Sequence, residues 1–309
     1  MRVALLSFAL TAALGLPACS SAPLAAPVDP ALTVPATQPP AGMGLYAVPT
    51  GRMYSRAALA FEGGRYGDRR VFVAGGILVR HPKGTLLFDA GFGPSVEAHR
   101  ITSPWLLRAT TKYDRQTTVA DELKAAGIAP SSLMAVVLTH AHWDHVSGLE
   151  ALPGTPVWVT REELAFVRGE DASTALARQL GTASYIAFDF PDGPYLGFAR
   201  SRDVFGDGSV VLVPAPGHTP GSIVAFIGTP DGKRYALIGD TAWQREGVEL
   251  PAEKPWVARQ VDTDPAATRA MLVRLHQIKT AMPGLIIVPA HDARVWATLP
   301  KLAPMSGGD

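Results

Sequence analysis

The chain predicts an α/β fold in which two β-sheets lie face to face with helices outside, a four-layer αββα sandwich. Three observations carry this. Short apolar, β-branched runs alternate with amphipathic helical stretches in both halves of the sequence. Each half places histidines or acids directly after such a run, where α/β sheets gather their chemistry. With 309 residues, 47% of them hydrophobic, the chain can bury a sizeable core as one large domain or two small ones. We assign residues 42–309 to a single domain.

Runs 71–74 and 77–80 flank Gly75-Gly76, and 85–88 ends at Asp89-Ala90-Gly91. An acid closing such a strand is either a cap or a group bracing a site from behind, and the residues leave both open. Residues 99–117 show no period and leave two readings, core packing for most of their apolar side chains first and a partly apolar flap over a site second. Thr118, with Asp121 at N3, opens a helix that stops at Gly127. The buried run 134–138 follows. Run 156–159 is a short strand, and Thr160-Arg161-Glu162-Glu163 is a capping box opening the next helix. A helical piece over 174–180 leads to 184–205, which mixes aromatics, prolines and aspartates and reads as an irregular insert facing substrate. Strands follow at 209–213, 223–227 and 235–238. Asp264-Pro265 starts a helix with proline in its first turn, carrying Thr268, Met271, Leu272, Leu275 and Ile278 on one face. A last strand, 285–288, delivers His291.

The N-terminus reads as an address. Met1-Arg2, an apolar run over 3–16 and small residues fit a secretory signal, too short for a membrane span of about 20 residues. The ending Leu16-Pro17-Ala18-Cys19 resembles the lipobox of bacterial lipoproteins, although Pro17 is an uncommon occupant. This implies a signal over residues 1–19 and a lipid anchor on Cys19 facing the periplasm, or a soluble periplasmic or secreted protein if the box is not used. Residues 20–41 are Ala- and Pro-rich and read as an extended tether. Cys19 is the sole cysteine, which rules out a disulfide framework or thiolate metal site. A net charge of +1 without a basic stripe gives no reason to expect nucleic acid.

The chemistry centres on Thr139-His140-Ala141-His142-Trp143-Asp144-His145. Imidazoles and a carboxylate gathered after a buried strand suit a borderline cation such as zinc. Alternate residues of an extended strand end face one way, so His140 and His142 can grip one ion while Asp144 and His145 face a neighbour. His218, Asp240 and His291 also follow strands; His81, His99 and His276 do not and read as ordinary packed or surface residues.

Taken together, His140-x-His142-x-Asp144-His145, His218 within Gly-His-Thr-Pro-Gly, Gly239-Asp240 and His291 resemble the full signature of the metallo-β-lactamase-fold hydrolases, across residues 71–296. The resemblance implies two divalent cations, zinc foremost, with manganese, iron(II) or cobalt(II) compatible. His140, His142 and His218 would hold one, Asp144, His145 and His291 the other, and Asp240 would bridge. Asp144 would also shuttle a proton, with Asp89 and Thr139 orienting imidazoles from behind.

True metallo-β-lactamases typically carry cysteine or serine where this chain has Asp240. The run from Val288 to Trp296 instead resembles the N-acyl homoserine lactonase branch. That implies hydrolysis of a small-molecule lactone or ester. A phosphotriesterase or aryl-ester hydrolase is the runner-up, ahead of a β-lactamase or a non-catalytic metal-binding lipoprotein. Many lactonases of the branch place a tyrosine three residues after the bridging aspartate, whereas this chain has Trp243. Its N–H donates but cannot accept, so Trp243 only shapes the pocket or the substrate is not a homoserine lactone. Trp105 and Tyr185 are the other expected pocket residues.

Overall fold

The computed structural model describes residues 32–103, 105–181 and 184–303. The expected signal, Cys19 and the tether up to residue 31 lie outside them. Over residues 32–41 the chain lies against the body: Gln38 N donates to Asp207 O at 3.1 Å, and Leu32 packs on the apolar cluster beneath the long C-terminal helix.

The N-terminal half supplies β1 (Gly44–Arg56), β2 (Arg69–His81), β3 (Gly84–Phe88), β4 (Lys112–Arg115), β5 (Leu133–Val137), β6 (Val157–Thr160) and β7 (Tyr185–Phe188). They form a seven-stranded sheet in the order β4-β1-β2-β3-β5-β6-β7. The C-terminal half supplies β8 (Arg202–Asp203), β9 (Val210–Pro214), β10 (Ile223–Gly228), β11 (Arg234–Leu237) and β12 (Leu285–Val288), ordered β12-β11-β10-β9-β8.

The two-residue alternation of strands sorts side chains into three apolar layers. Leu86, Phe88, Ala135 and Val137 meet Leu212, Ile223, Ala225 and Leu237 between the sheets. Leu87 and Val136 point the other way, towards the helices Val119–Ala125 and Arg161–Arg168. Val213, Val224 and Ala236 face Met271, Leu272, Leu275 and Ile278 of the helix Pro265–Ala281. Four structural layers around three apolar ones make the αββα sandwich.

The caps behave as their chemistry requires. Thr118, Thr160 and Asp264 accept from the N–H groups of Asp121, Glu163 and Ala267. The Gly75-Gly76 pair does not divide two strands, because β2 runs through it unbroken. A Cβ on Gly75 would fall 2.5 Å from Val48 O, so glycine there permits close approach between strands rather than a turn.

The segment 184–205 is not an irregular insert. Its start is β7, pairing in parallel with β6, and its end is β8, pairing with β9. It carries the chain from one sheet to the other, and its prolines and aspartates occupy the crossing.

Candidate metal centre

Four strand ends build the site. After β5, His142 occupies the N-cap of the short helix Trp143–Val146, which puts Asp144 and His145 in its first turn. His218 follows β9, Asp240 lies in the turn Gly239–Thr241 after β11, and His291 follows β12. One sheet thus provides four of these side chains and the other three.

Ligating atoms of His140, His142 and His218 lie within 4.8 Å of one another, as do those of Asp144, His145 and His291. A third such group, His140, His145 and Asp240, joins the two. His218 Nε2 is 3.2 Å from His140 Nε2, and Asp240 Oδ1 lies 3.4 Å from His145 Nε2 and 3.1 Å from His291 Nε2. Asp240 Oδ2 is 3.6 Å from His218 Nε2, so its two oxygens face both trios.

The donor set fits divalent cations. His142 Nε2, His145 Nε2 and Asp240 Oδ1 are buried without a hydrogen-bond partner, an arrangement that is costly unless a ligand meets them. The opposite ring nitrogens of His140, His145, His218 and His291 are occupied, as in metal sites generally. His145 Nδ1 donates to Asp89 Oδ2 at 2.9 Å, His218 Nδ1 to Asp262 Oδ1 at 2.7 Å and His291 Nδ1 to Val73 O at 2.8 Å. The Thr139 hydroxyl donates to Asp89 Oδ2 at 2.8 Å, so it accepts from His140 Nδ1 at 3.2 Å. Asp89 also accepts from Thr139 N at 2.7 Å and holds a positive φ of 58°, an uncommon conformation for a non-glycine residue.

The two trios differ electrostatically. Burial, then neighbouring imidazoles, holds His140 well below the usual histidine range; burial and His218 push His142 down to about 3. Burial and Lys254 lower His218. Around the other trio burial also opposes charge, but carboxylates outweigh it. Asp89 and Asp240 raise His145 well above its usual value, and Asp240 and Asp144 raise His291 to about 10. Asp240 and Asp144 are correspondingly lowered against burial, Asp240 chiefly by the charges of His291 and His145, Asp144 chiefly by its hydrogen bond to His291.

A cavity of about 650 Å³ opens over the cluster. Met53, Phe72, Trp143, Trp243 and Val257 give it an apolar wall, with Arg100 and Arg108 on one side. Trp243 belongs to this wall, and its Nε1 donates to Asp240 Oδ2 at 2.8 Å. The other two expected pocket residues are corrected. Trp105 is 70% exposed and does not line the cavity, although Arg108, Thr111 and Tyr113 of the same segment do. Tyr185 is buried in the layer beneath the helices because the alternation of β7 turns it away from the cleft.

Sequence reasoning missed Asp262, Lys254 and Glu163. Lys254 Nζ donates to Asp262 Oδ1 at 2.6 Å and lies 5.7 Å from the Trp243 ring centre, closing a network behind His218. Both come from an irregular stretch with no pattern to reveal them. Glu163 looked like half of a capping box. The remaining histidines are structural. His81 stacks on Phe205 at 3.8 Å and pairs with Asp207, while His99 and His276 bond Ser147 Oγ and Val248 O.

A sequence model of the metallo-β-lactamase superfamily matches residues 76–291, a span that contains every residue of the cluster. The chain belongs to this superfamily. It is 30% identical over 244 residues to a probable metallo-hydrolase of Mycobacterium tuberculosis, covering 70% of this chain and 73% of that protein. It is 27% identical over 237 residues to the N-acyl homoserine lactonase AttM of Agrobacterium fabrum, covering 72% and 83%. Its fold superimposes on a solved N-acyl homoserine lactone hydrolase, carrying N-hexanoyl-L-homoserine at its catalytic metal centre, with a TM-score of 0.65. That pair is 20% identical and covers 84% of this chain and 96% of the other. The superfamily member described here is a metal-dependent hydrolase.

Proposed function

We propose that this hydrolase is dinuclear and opens lactones or esters. His140, His142 and His218 hold one cation, Asp144, His145 and His291 the second, and Asp240 lies between them. The observation that carries the reading is the pair of trios joined by Asp240, a carboxylate rather than a thiolate or hydroxyl. The lactonase relatives support it. Zinc suits the nitrogen and oxygen donors best, and manganese, iron(II) and cobalt(II) are compatible.

Two cations held there would supply Lewis acidity, lowering the pKa of bound water towards 7 and offsetting charge on the carbonyl and leaving oxygens. The chain's own groups do the rest. Asp144 lines the cavity and shuttles the proton of the attacking water towards the leaving oxygen. Trp243 N–H fixes the orientation of Asp240. Met53, Phe72 and Trp143 exclude bulk water from the acyl portion of the substrate. Attachment through Cys19 would place this chemistry at the periplasmic face of a membrane.

The test is a substrate panel on the full chain loaded with zinc or manganese. We expect kcat/KM for lactones and esters to exceed that for phosphotriesters and for a chromogenic β-lactam. Faster phosphotriester turnover would replace the substrate class, and inactivity with all carbonyl substrates would remove the reading.

A further inference from the structure

Glu163 stands in the first turn of the helix Arg161–Arg168, where an acid ordinarily reaches back to the cap backbone. Its carboxylate goes elsewhere. The residue is 1% exposed, and its two oxygens take three hydrogen bonds from two loops. Oε1 accepts from Ala141 N at 2.7 Å. Oε2 accepts from Thr219 Oγ1 at 2.6 Å and from Gly221 N at 3.1 Å. Ala141 lies between His140 and His142, and Thr219 directly follows His218.

The junction is built for this contact. The Thr160 hydroxyl accepts from Glu163 N at 3.1 Å and donates to Gly221 O at 2.9 Å. A Cβ on Gly221 would fall 2.1 Å from Glu163 N, so only glycine lets this loop press against the helix start. Loops from the two sheets are therefore tied through one buried carboxylate, one oxygen to each.

We propose that Glu163 is a positioning residue that sets the spacing of His140 and His142 against His218, and with it the affinity and geometry of the cation those three hold. The proposal rests on the ligand assignment made above. Three converging donors need two acceptor atoms. The amide of Glu163→Gln has almost the same shape but one oxygen, and its NH2 meets a donor on one loop. The exchange cuts one tie and keeps the other.

The experiment compares the full-length wild type with Glu163→Gln by zinc titration against a chromophoric chelator, by the absorption of the cobalt(II) form and by steady-state kinetics. Loss of a group that orients metal ligands typically costs about 10–100-fold in metal affinity. The variant should bind zinc more weakly by that factor, show shifted cobalt bands, and lose kcat with little change in KM. A purely structural role would lower the melting temperature and leave zinc affinity and cobalt spectrum at wild-type values; that result overturns the proposal. If Glu163→Gln does not fold, Thr219→Val removes one donor and Thr219→Ser keeps it. Weaker zinc binding in the valine variant, restored in the serine variant, supports the role, and equal binding in both overturns it. A wild-type chain that takes up no zinc removes the ligand assignment and the role together, whereas a wild type that binds, matched by Glu163→Gln, removes the role alone.

Discussion

The floor of the cavity and its wall are made in different ways. The floor consists of side chains at the ends of β5, β9, β11 and β12, each backed by a sheet, and most of its imidazoles are held from behind by a second hydrogen bond. Met53 and Phe72 anchor one part of the wall on β1 and β2, and the rest comes from short helices and connections around Arg100 and Arg108, over 171–173 and over 257–263. Its polar groups mostly satisfy their own segment, as where Arg108 donates to Ile101 O and Ser103 O. The contrast separates two tasks. Groups that stabilise charge need sub-ångström placement, which packed strands supply, whereas groups that select a substrate tolerate the looser support of loops.

Substitutions at increasing distance from the floor should cost less and shift from kcat to KM. Asp240→Asn sits at one extreme, because it removes the charge shared by both trios. Charge stabilisation by cations is worth several kcal/mol, and about 1.4 kcal/mol is tenfold in rate, so kcat should fall by roughly 10³-fold and zinc stoichiometry should drop. A variant retaining two zinc ions and near-normal kcat would break the division between floor and wall.

Trp243→Phe tests a residue that belongs to both regions. It keeps the apolar surface and loses the N–H donated to Asp240. Loss of such an orienting bond should lower kcat by about 10-fold with KM little changed. A rise in KM alone would make Trp243 purely a wall residue. The smallest effect belongs to Val257→Ala on the wall. Trimming an apolar contact of this size is worth about 1–3 kcal/mol at most, and it should appear as a several-fold rise in KM for long acyl groups at constant kcat, the mark of uniform binding. A comparable loss in kcat would show that the wall orients the reacting carbonyl as well.

The same division decides what could be read in advance. The strand ends were legible because a buried strand is an apolar run with sharp limits, and the residue after it is marked whatever the partner strand does. His140, His218 and His291 are each visible in this way. The wall was not. Trp105 and Tyr185 have the composition of pocket residues, yet one turns to solvent and the other into the helix layer. Glu163 had a local explanation in the capping box, and that local rule hid a contact made over 58 residues to Gly221.

The amino-acid sequence pointed to the sandwich and marked the histidines and Asp240 at strand tips, because periodicity and strand limits are local properties of a chain. The grouping of seven side chains into two trios and a bridge came from the resemblance to the metallo-β-lactamase-fold hydrolases. Tertiary structure decided what stands behind and above those side chains: Asp262 and Lys254 at His218, the indole on Asp240, the carboxylate tying two loops, and the cavity wall. These depend on how separate segments pack, and no spacing along one segment encodes the distance to another.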